Sequence, residues 1–361
     1  MIRHLELFAG IGGFRRAFDL LGNDSAIPVK CVGFSEIDPY AVKTYQANFE
    51  TDDEIAMGDI VSYTSIKQNI SNIPDFDILT GGFPCQSFSM MGKKHGFDDI
   101  RGNVFFHIID IINEKKPTFI LLENVKNIIK HDKGNTIKII IESIKKAGYP
   151  NVYLDVFNTE NFGLAQKRNR VYIFASSKEL PTSFKFNEQS VVDNFKAICS
   201  TTSLLKQKSV LDVLQLNADK KYYLSETLKP TILANGSKNF KSKSEINQLI
   251  ARPLTATMVK LHRACQDNYY SDDFLFSKDP KAYLTQEFSK EDQAKHNIRR
   301  ITPNEAFALQ GFDSSFYKKA LDSGLSHFQL YKQAGNAVSV NTVYAILHYL
   351  FVTNKLDKYV F

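Results

Sequence analysis

The sequence predicts an α/β protein built on a mainly parallel sheet, and three observations predict it. Short apolar runs alternate with amphipathic stretches through the first half of the chain. A glycine turn, Gly10-Ile11-Gly12-Gly13, joins the first apolar run to the first helical stretch, and an acid, Glu36, ends the second run. Polar residues then recur where apolar runs end: Glu36, Asp59, Cys85 and Glu123. In such sheets ligands bind at the carboxyl ends of strands, so these four are expected to share one rim.

In chain order, residues 4–9 read as a strand and 14–21 as an amphipathic helix. Residues 29–35 read as a second strand, and 39–48 as a helix with Pro39 in its first turn. A short extended run precedes Gly58-Asp59-Ile60, and residues 76–80 form an apolar strand. Two glycines and Pro84 are expected to break that strand just before Cys85. Residues 104–113 are helical, 118–122 a buried strand, and two helical stretches run to about Ala147. Strands are expected at 152–157 and 170–175. After Ser176 the rhythm stops, and residues 177–295 are irregular and rich in Lys, Asn and Ser. Arg299 to Phe312 then reads as a turn, a helix led by Pro303 and a glycine stop. Gly335-Asn336-Ala337-Val338 precedes a last apolar helix ending near Phe351.

The first half has the order of a nucleoside site: strand, glycine turn, helix, strand, acid. Glycines let the backbone approach a ligand, and the acid suits a ribose hydroxyl pair. Arg15 stands where the third glycine of a pyrophosphate-binding turn belongs, which favours a nucleoside ligand without phosphates. Asp59 either accepts from an adenine amino group or caps the helix after it. Cys85 is either a loop-borne nucleophile or a small buried hydrophobe. A free thiol has a pKa of about 8.5, so a modest shift makes enough thiolate for catalysis.

Composition sets the outer limits. The 361 residues carry a net charge of +6, a modest basic bias compatible with a polyanion partner. The four cysteines (Cys31, Cys85, Cys199, Cys265) lie far apart and show no metal-ligand spacing, so no metal site and a reducing compartment are expected. No apolar run reaches membrane-spanning length, and the first residues lack a signal-peptide pattern, which points to a cytoplasmic protein with no membrane partner.

Gly81 to Ser89 (GGFPCQSFS), followed by Glu123-Asn124-Val125 and by Gln166-Lys167-Arg168-Asn169-Arg170, closely resembles the DNA (cytosine-5) methyltransferases. The match runs through most of the chain in family order, from LFAGIGGFR near the start to QAGNAVSV near the end. Two positions depart from the usual pattern. Glu6 stands where an aspartate is often found, and Ile37 where many members carry an aromatic that stacks on adenine.

The resemblance implies a Rossmann-like, S-adenosylmethionine-dependent methyltransferase domain with a smaller, irregular target-recognition domain. S-adenosylhomocysteine is the implied product, and the target is a cytosine flipped out of duplex DNA. The implied catalytic set is Cys85, Glu123, Arg168 and Arg170. Cys85 would add to carbon 6, Glu123 would meet ring nitrogen 3, and the two arginines would hold the adduct. The implied cofactor set is Phe8, Gly10, Ile11, Gly12, Gly13, Glu36, Ile37, Asp59, Ile60, Pro84, Val104, Asn336 and Val338. Candidate DNA contacts are Gln86, Ser87, Ser89, Lys93, Lys94 and Arg101 on a mobile catalytic loop, then Gln166, Thr255 and Arg263. Lys238, Lys241, Lys243, Lys260 and His262 are further candidates for phosphates or base edges.

The expected large domain is residues 1–178 plus 328–361, and the small domain 179–327. The chain begins almost at the first motif, which resembles the compact enzymes of bacterial restriction–modification systems. A cognate restriction endonuclease acting separately on the same site is then a possible partner. Two other readings share this fold: a tRNA cytosine-5 methyltransferase and a catalytically inactive DNA-binding relative. A nicotinamide oxidoreductase fits less well, since Pro84-Cys85-Gln86 has no role there.

Overall fold

The computed structural model describes residues 1–84, 104–236 and 241–360. The chain divides into two units: residues 1–162, 169–204 and 338–361 form the first, and 163–168 with 205–337 the second.

The first unit is built on a seven-stranded sheet of order β3-β2-β1-β4-β5-β7-β6. Its strands are β1 (Ile2–Leu7), β2 (Val29–Ser35), β3 (Ile55–Ala56), β4 (Ile78–Gly82), β5 (Phe119–Val125), β6 (Asn151–Asn158) and β7 (Asn169–Ser176). The first five pair in parallel, as the strand–helix alternation predicts, while β7 runs antiparallel to both β5 and β6. That closing hairpin departs from the mainly parallel sheet expected, and its physical reason is the short connection from Thr159 to Arg168, which holds only one 3-10 turn and is too short for the crossover a parallel pair needs.

The connecting helices follow local rules. α1 (Gly13–Ser25) begins directly after the glycine turn, and α2 (Pro39–Asn48) is capped by Asp38, whose side chain accepts from the Tyr40 amide. α3 (Ile60–Thr64), α4 (Lys67–Asn72), α5 (Val104–Lys115) and α6 (Asn135–Lys146) complete the parallel part. Alternation along β1 sends Leu5 and Leu7 into a core that also holds Ile60, Ile70, Phe105, Ile108 and Ile140. His4 and Glu6 therefore point to the opposite face, where His4 stacks on Phe18 of α1 with ring centroids 4.2 Å apart.

The expected domain limits shift at both ends. α7 (Glu188–Ile198) belongs to the first unit, because its first amide, of Glu188, donates to Asp155 on β6 and the neighbouring Phe186 packs on Phe157. The irregular region therefore starts near residue 205, not 179. In the second unit, β8 (Tyr269–Ser271) pairs with β9 (Ile298–Arg300), and α8 (Pro303–Leu309), α9 (Ser314–Asp322) and α10 (His327–Asn336) follow. α10 lies in this unit, so the crossing back comes after Ala337 and not at 328. The last helix, α11 (Val340–His348), packs along α1 of the first unit.

The Pro303 helix has the expected start. Thr302 and Glu305 form a reciprocal capping box, and Glu305 also takes both terminal nitrogens of the fully buried Arg299 at 2.8 and 2.9 Å.

Candidate active site

The rim of β1 and β2 is shaped by backbone conformations that few residues adopt. Gly10 and Gly12 have φ of 56° and 86°, and the half-buried Phe8 is itself left-handed at 53°. A Cβ on Gly10 would meet nothing within 4 Å, so this backbone is open to a ligand. Gly12 and Gly13 are glycines for another reason: a Cβ would lie 2.3 Å from the Phe49 ring or 2.6 Å from the Val338 carbonyl oxygen. Ile11 is buried beneath the turn.

Glu36 closes this rim. Its Oε2 accepts from the Gly10 amide at 2.8 Å, and its Oε1 accepts from the Ile37 and Asp38 amides at 2.9 and 2.8 Å. A carboxylate offers about four acceptor sites. Three are used in ordering the two turns, which leaves room for a ribose hydroxyl more readily than for a pair. Ile37 beside it is 71% exposed, an apolar surface free to lie on a flat ring.

Asp59 caps the helix after it. It accepts from the Val61 and Ser62 amides and from the Ser62 hydroxyl, and these bonds hold its carboxyl below the usual aspartate range. Ile60 is buried in the core, so only its backbone could face a ligand. Val104 is half-buried in the first turn of α5, Pro84 is exposed, and Val338 packs on both Gly13 and Gly82. Asn336 ends α10 in the second unit and is exposed there.

The second cluster lies on β4, β5 and β7. The glycines before Cys85 do not break the strand as expected; Gly81 and Gly82 are its last residues, paired with Leu122 and Glu123. Their lack of side chains serves close approach. A Cβ on Gly82 would sit 3.3 Å from Glu123 Oε2, and one on Gly81 would sit 2.9 Å from the Leu7 carbonyl oxygen. Glu123 is almost fully buried, and its Oε1 is 3.0 Å from Nε of Arg170. Asn124, which carried no role in the sequence reading, donates to the Phe83 carbonyl at 2.8 Å. That bond fixes the last turn of backbone before the cysteine. The only sequence signal for it was its place beside Glu123.

Arg168 and Gln166 do something else. Arg168 is buried, and its guanidinium donates to the carbonyls of Leu254, Gly335 and Ala337 at 2.9, 3.1 and 3.2 Å. Gln166 is fully buried; its amide nitrogen donates to the Leu309 carbonyl and to Gln310, while its oxygen accepts from the Leu254 amide. The expected DNA contact from Gln166 is corrected accordingly, since no atom of it is exposed and both ends are bonded within the second unit. The three carbonyls that Arg168 holds likewise all belong to the second unit. Together Gln166 and Arg168 grip Leu254, the neighbour of Thr255. The Thr255 hydroxyl is buried and makes no hydrogen bond among the described residues. Arg263 is half-buried and donates to the Asn235 carbonyl at 2.6 Å.

Cys85, Gln86, Ser87, Ser89, Lys93, Lys94, Arg101 and Lys238 lie outside the described residues. Among the described residues no three His, Cys, Asp or Glu side chains group as metal ligands would, and no helix is long and apolar enough to cross a membrane.

An open glycine turn and a Glu123–Arg170 ion pair at the strand ends of a mixed seven-stranded sheet make this an α/β protein with polar groups gathered along one sheet edge. Residues 2–351 match the family model described as C-5 cytosine-specific DNA methylase, and the chain belongs to that family. It is 38% identical to the type II methyltransferase M1.ScrFI of Lactococcus lactis subsp. cremoris, over 95% of this chain and 76% of that one. It is 37% identical to M.SsoII of Shigella sonnei (97% and 80% covered) and 35% identical to M.NlaX of Neisseria lactamica (96% and 95%). In fold it is similar to the Entamoeba histolytica methyltransferase EhMeth (TM-score 0.70, 20% identity, 98% of each chain) and to S. pombe Dnmt2 (0.71, 19%, 98% and 99%). The protein is a DNA (cytosine-5-)-methyltransferase. The family is dependent on S-adenosylmethionine, which implies that donor here.

Proposed function

We propose that this enzyme methylates carbon 5 of a cytosine flipped from duplex DNA, with Cys85, Glu123 and Arg170 doing the chemistry. The observation that carries this reading is the Glu123–Arg170 pair beside Gly82, which precedes Cys85 by three residues in the sequence. Carbon 5 of cytosine is a poor nucleophile. Addition of the Cys85 thiolate to carbon 6 pushes an electron pair toward carbon 5 and ring nitrogen 3. Glu123 in its acid form gives its proton to that nitrogen as the electron pair arrives, Arg170 balances the carboxylate left behind, and the proton returns to Glu123 when the carbon 6–sulfur bond breaks. Bound S-adenosylmethionine supplies the electrophilic methyl group. Loss of the carbon 5 proton to a base then lets the carbon 6–sulfur bond break, which restores both the aromatic ring and the thiolate.

The residues present suit that cofactor. The open backbone at Gly10, the remaining acceptor capacity of Glu36 and the exposed Ile37 fit a nucleoside, and Asp59 keeps an exposed carboxylate toward an adenine amino group. The type II names of the bacterial relatives support a restriction–modification role, with protection of host DNA against a separate endonuclease cutting the same site. The flipped base costs a few kcal/mol of unstacking, which contacts to the DNA must offset.

The test is a duplex with 5-fluorocytosine at the target. Fluorine cannot leave as a proton does, so a covalent adduct accumulates, and a peptide map is expected to find it on Cys85. Attachment at any other residue overturns the assignment.

A further inference from the structure

The face of the sheet beneath the cofactor rim is unusually polar. Glu6 on β1 is fully buried, and its Oε2 accepts from the Tyr45 hydroxyl of α2 at 3.3 Å. The same hydroxyl lies 3.8 Å from the sulfur of Cys31 on β2. Arg15, in the first turn of α1, pairs with Asp19 and with Glu54 after α2, and its guanidinium lies over the Phe49 ring, 5.3 Å from the centroid. Phe49 is the ring that Gly12 packs against. Arg15 occupies the position of the missing third glycine, so the residue that breaks that pattern is wired into the floor of the turn. α1 receives no side-chain cap from its own N-cap Gly12, and the Phe14 and Arg15 amides in its first turn act on the Glu6 carboxyl.

We propose that Glu6 is a positioning residue for the cofactor, working as a neutral carboxylic acid that ties the glycine turn before α1 to α2, whose start follows Glu36. This rests on the reading of that rim as the S-adenosylmethionine site. Charge balance supports it. Arg15 already faces two acids, Asp19 and Glu54, so an ionised Glu6 would add a second uncompensated negative charge to the cluster. The other groups facing it offer no counter-ion. Cys31 is pushed up to about 12 by burial, Tyr45 is raised well above its usual value by burial, and His4 is held well below its usual value by burial and by Arg15. Burial raises Glu6 itself to about 8, against the pull of Arg15 and of the Tyr45 bond. The sign follows. The folded protein holds this proton up to about pH 8 while the unfolded chain releases it near 4.5, so the stabilisation is full below 4.5 and is lost as pH rises through 8. Ionisation strengthens the individual bonds donated to Glu6, but burial outweighs them, so a charged Glu6 is accommodated only by letting water into the cluster, which loosens the packing of α1 against α2 and lowers cofactor affinity.

The experiment is calorimetric binding of S-adenosylhomocysteine between pH 6.5 and 9, on the full chain, for wild type, Glu6→Gln, Glu6→Ala and Tyr45→Phe. Wild-type affinity is expected to drop about fivefold across pH 8, the lower end of ordinary coupling between sites. Glu6→Gln mimics the neutral acid, so it keeps the pH 7 affinity and loses the alkaline drop. Glu6→Ala weakens binding at every pH. Should Glu6→Ala fail to fold, Tyr45→Phe, which removes one hydroxyl, carries the same expectation in milder form. An alkaline drop that persists in Glu6→Gln, or unchanged affinity in Tyr45→Phe, overturns the proposal. Glu36→Ala serves as the control on the underlying reading: unchanged affinity there moves the cofactor elsewhere, whatever Glu6 does.

Discussion

Nε of Arg170 reaches Oε1 of Glu123 at 3.0 Å across the antiparallel β5–β7 pair, although the residue directly opposite Arg170 is Val125. The arginine therefore leans two residues back along its neighbour, a diagonal reach that long side chains make across a sheet. The lean is possible because Gly82 on the other side of β5 leaves room for the carboxylate. Three strands thus converge on one charge pair at the end of the sheet.

That pair yields the first prediction. Arg170→Ala leaves the nearly buried Glu123 without its cation, and removes a donor aimed at the charge that develops on its carboxyl. Loss of one such donor typically costs about 10²–10³ in kcat. Arg170→Lys is expected to recover only part of it, because an ammonium cannot hold two acceptors in the fixed geometry of a guanidinium. Steady-state methylation of duplex DNA decides the matter. Activity within a few fold of wild type in Arg170→Ala removes this residue from the catalytic set.

Glu36 and Asp59 separate ligand binding from scaffolding. Glu36→Ala removes three backbone bonds as well as any bond to ribose, so cofactor affinity is expected to fall by about 1.5–3 kcal/mol or more, the range for hydrogen bonds to a charged group. Asp59→Asn keeps a side chain that caps helices well. It should therefore preserve stability while weakening the cofactor if the carboxylate meets an adenine amino group. Asp59→Ala loses the cap in addition, at about 0.5–2 kcal/mol of stability. Calorimetry for affinity and denaturant unfolding for stability read the two effects apart; identical cofactor affinity in wild type and Asp59→Asn leaves Asp59 with capping alone.

The sheet was legible because its parallel half obeys local rules. Apolar runs of strand length ended at glycines or acids, and Pro39 and Pro303 marked helix starts through their fixed φ. The rim was legible for the same reason, since Gly10, Gly12 and Glu36 are residue types with few other reasons to recur in that order. What escaped depends on distance in sequence. No local pattern tells that β7 runs antiparallel to β5, or that α7 packs on β6 through the Asp155–Glu188 bond. Gln166 was misjudged as a DNA contact because a polar side chain in a motif looks exposed on paper. Its burial follows from Leu254, Leu309 and Gln310, all more than eighty residues away. Glu6 stood out in the sequence only as a departure from the aspartate often found there; its burial against Tyr45 and Arg15 shows only in the fold.

The last prediction concerns the two arginines of one short motif. The division between the units falls between Arg168 and Asn169, so Arg168 and Arg170 belong to different units two residues apart. Arg168 holds three backbone carbonyls, of Leu254, Gly335 and Ala337, and Gln166 holds the Leu254 amide and α8. Close packing makes this clamp strict: a Cβ on Gly335 would stand 2.2 Å from the Thr255 carbonyl carbon. Each buried carbonyl left without its donor costs about 1–3 kcal/mol. Arg168→Ala and Gln166→Ala are therefore expected to lower the unfolding transition and to weaken DNA binding through a displaced Thr255, while cofactor affinity holds. Arg170→Ala should show the reverse, with DNA bound normally and the chemical step lost. Gly335→Ala should resemble the Arg168 variant without touching any charge. Denaturant unfolding, DNA titration and single-turnover methylation, run on all four variants, separate these outcomes. A fully stable Arg168→Ala protein that binds DNA normally yet fails in the chemical step would return Arg168 to the catalytic set and refute the clamp.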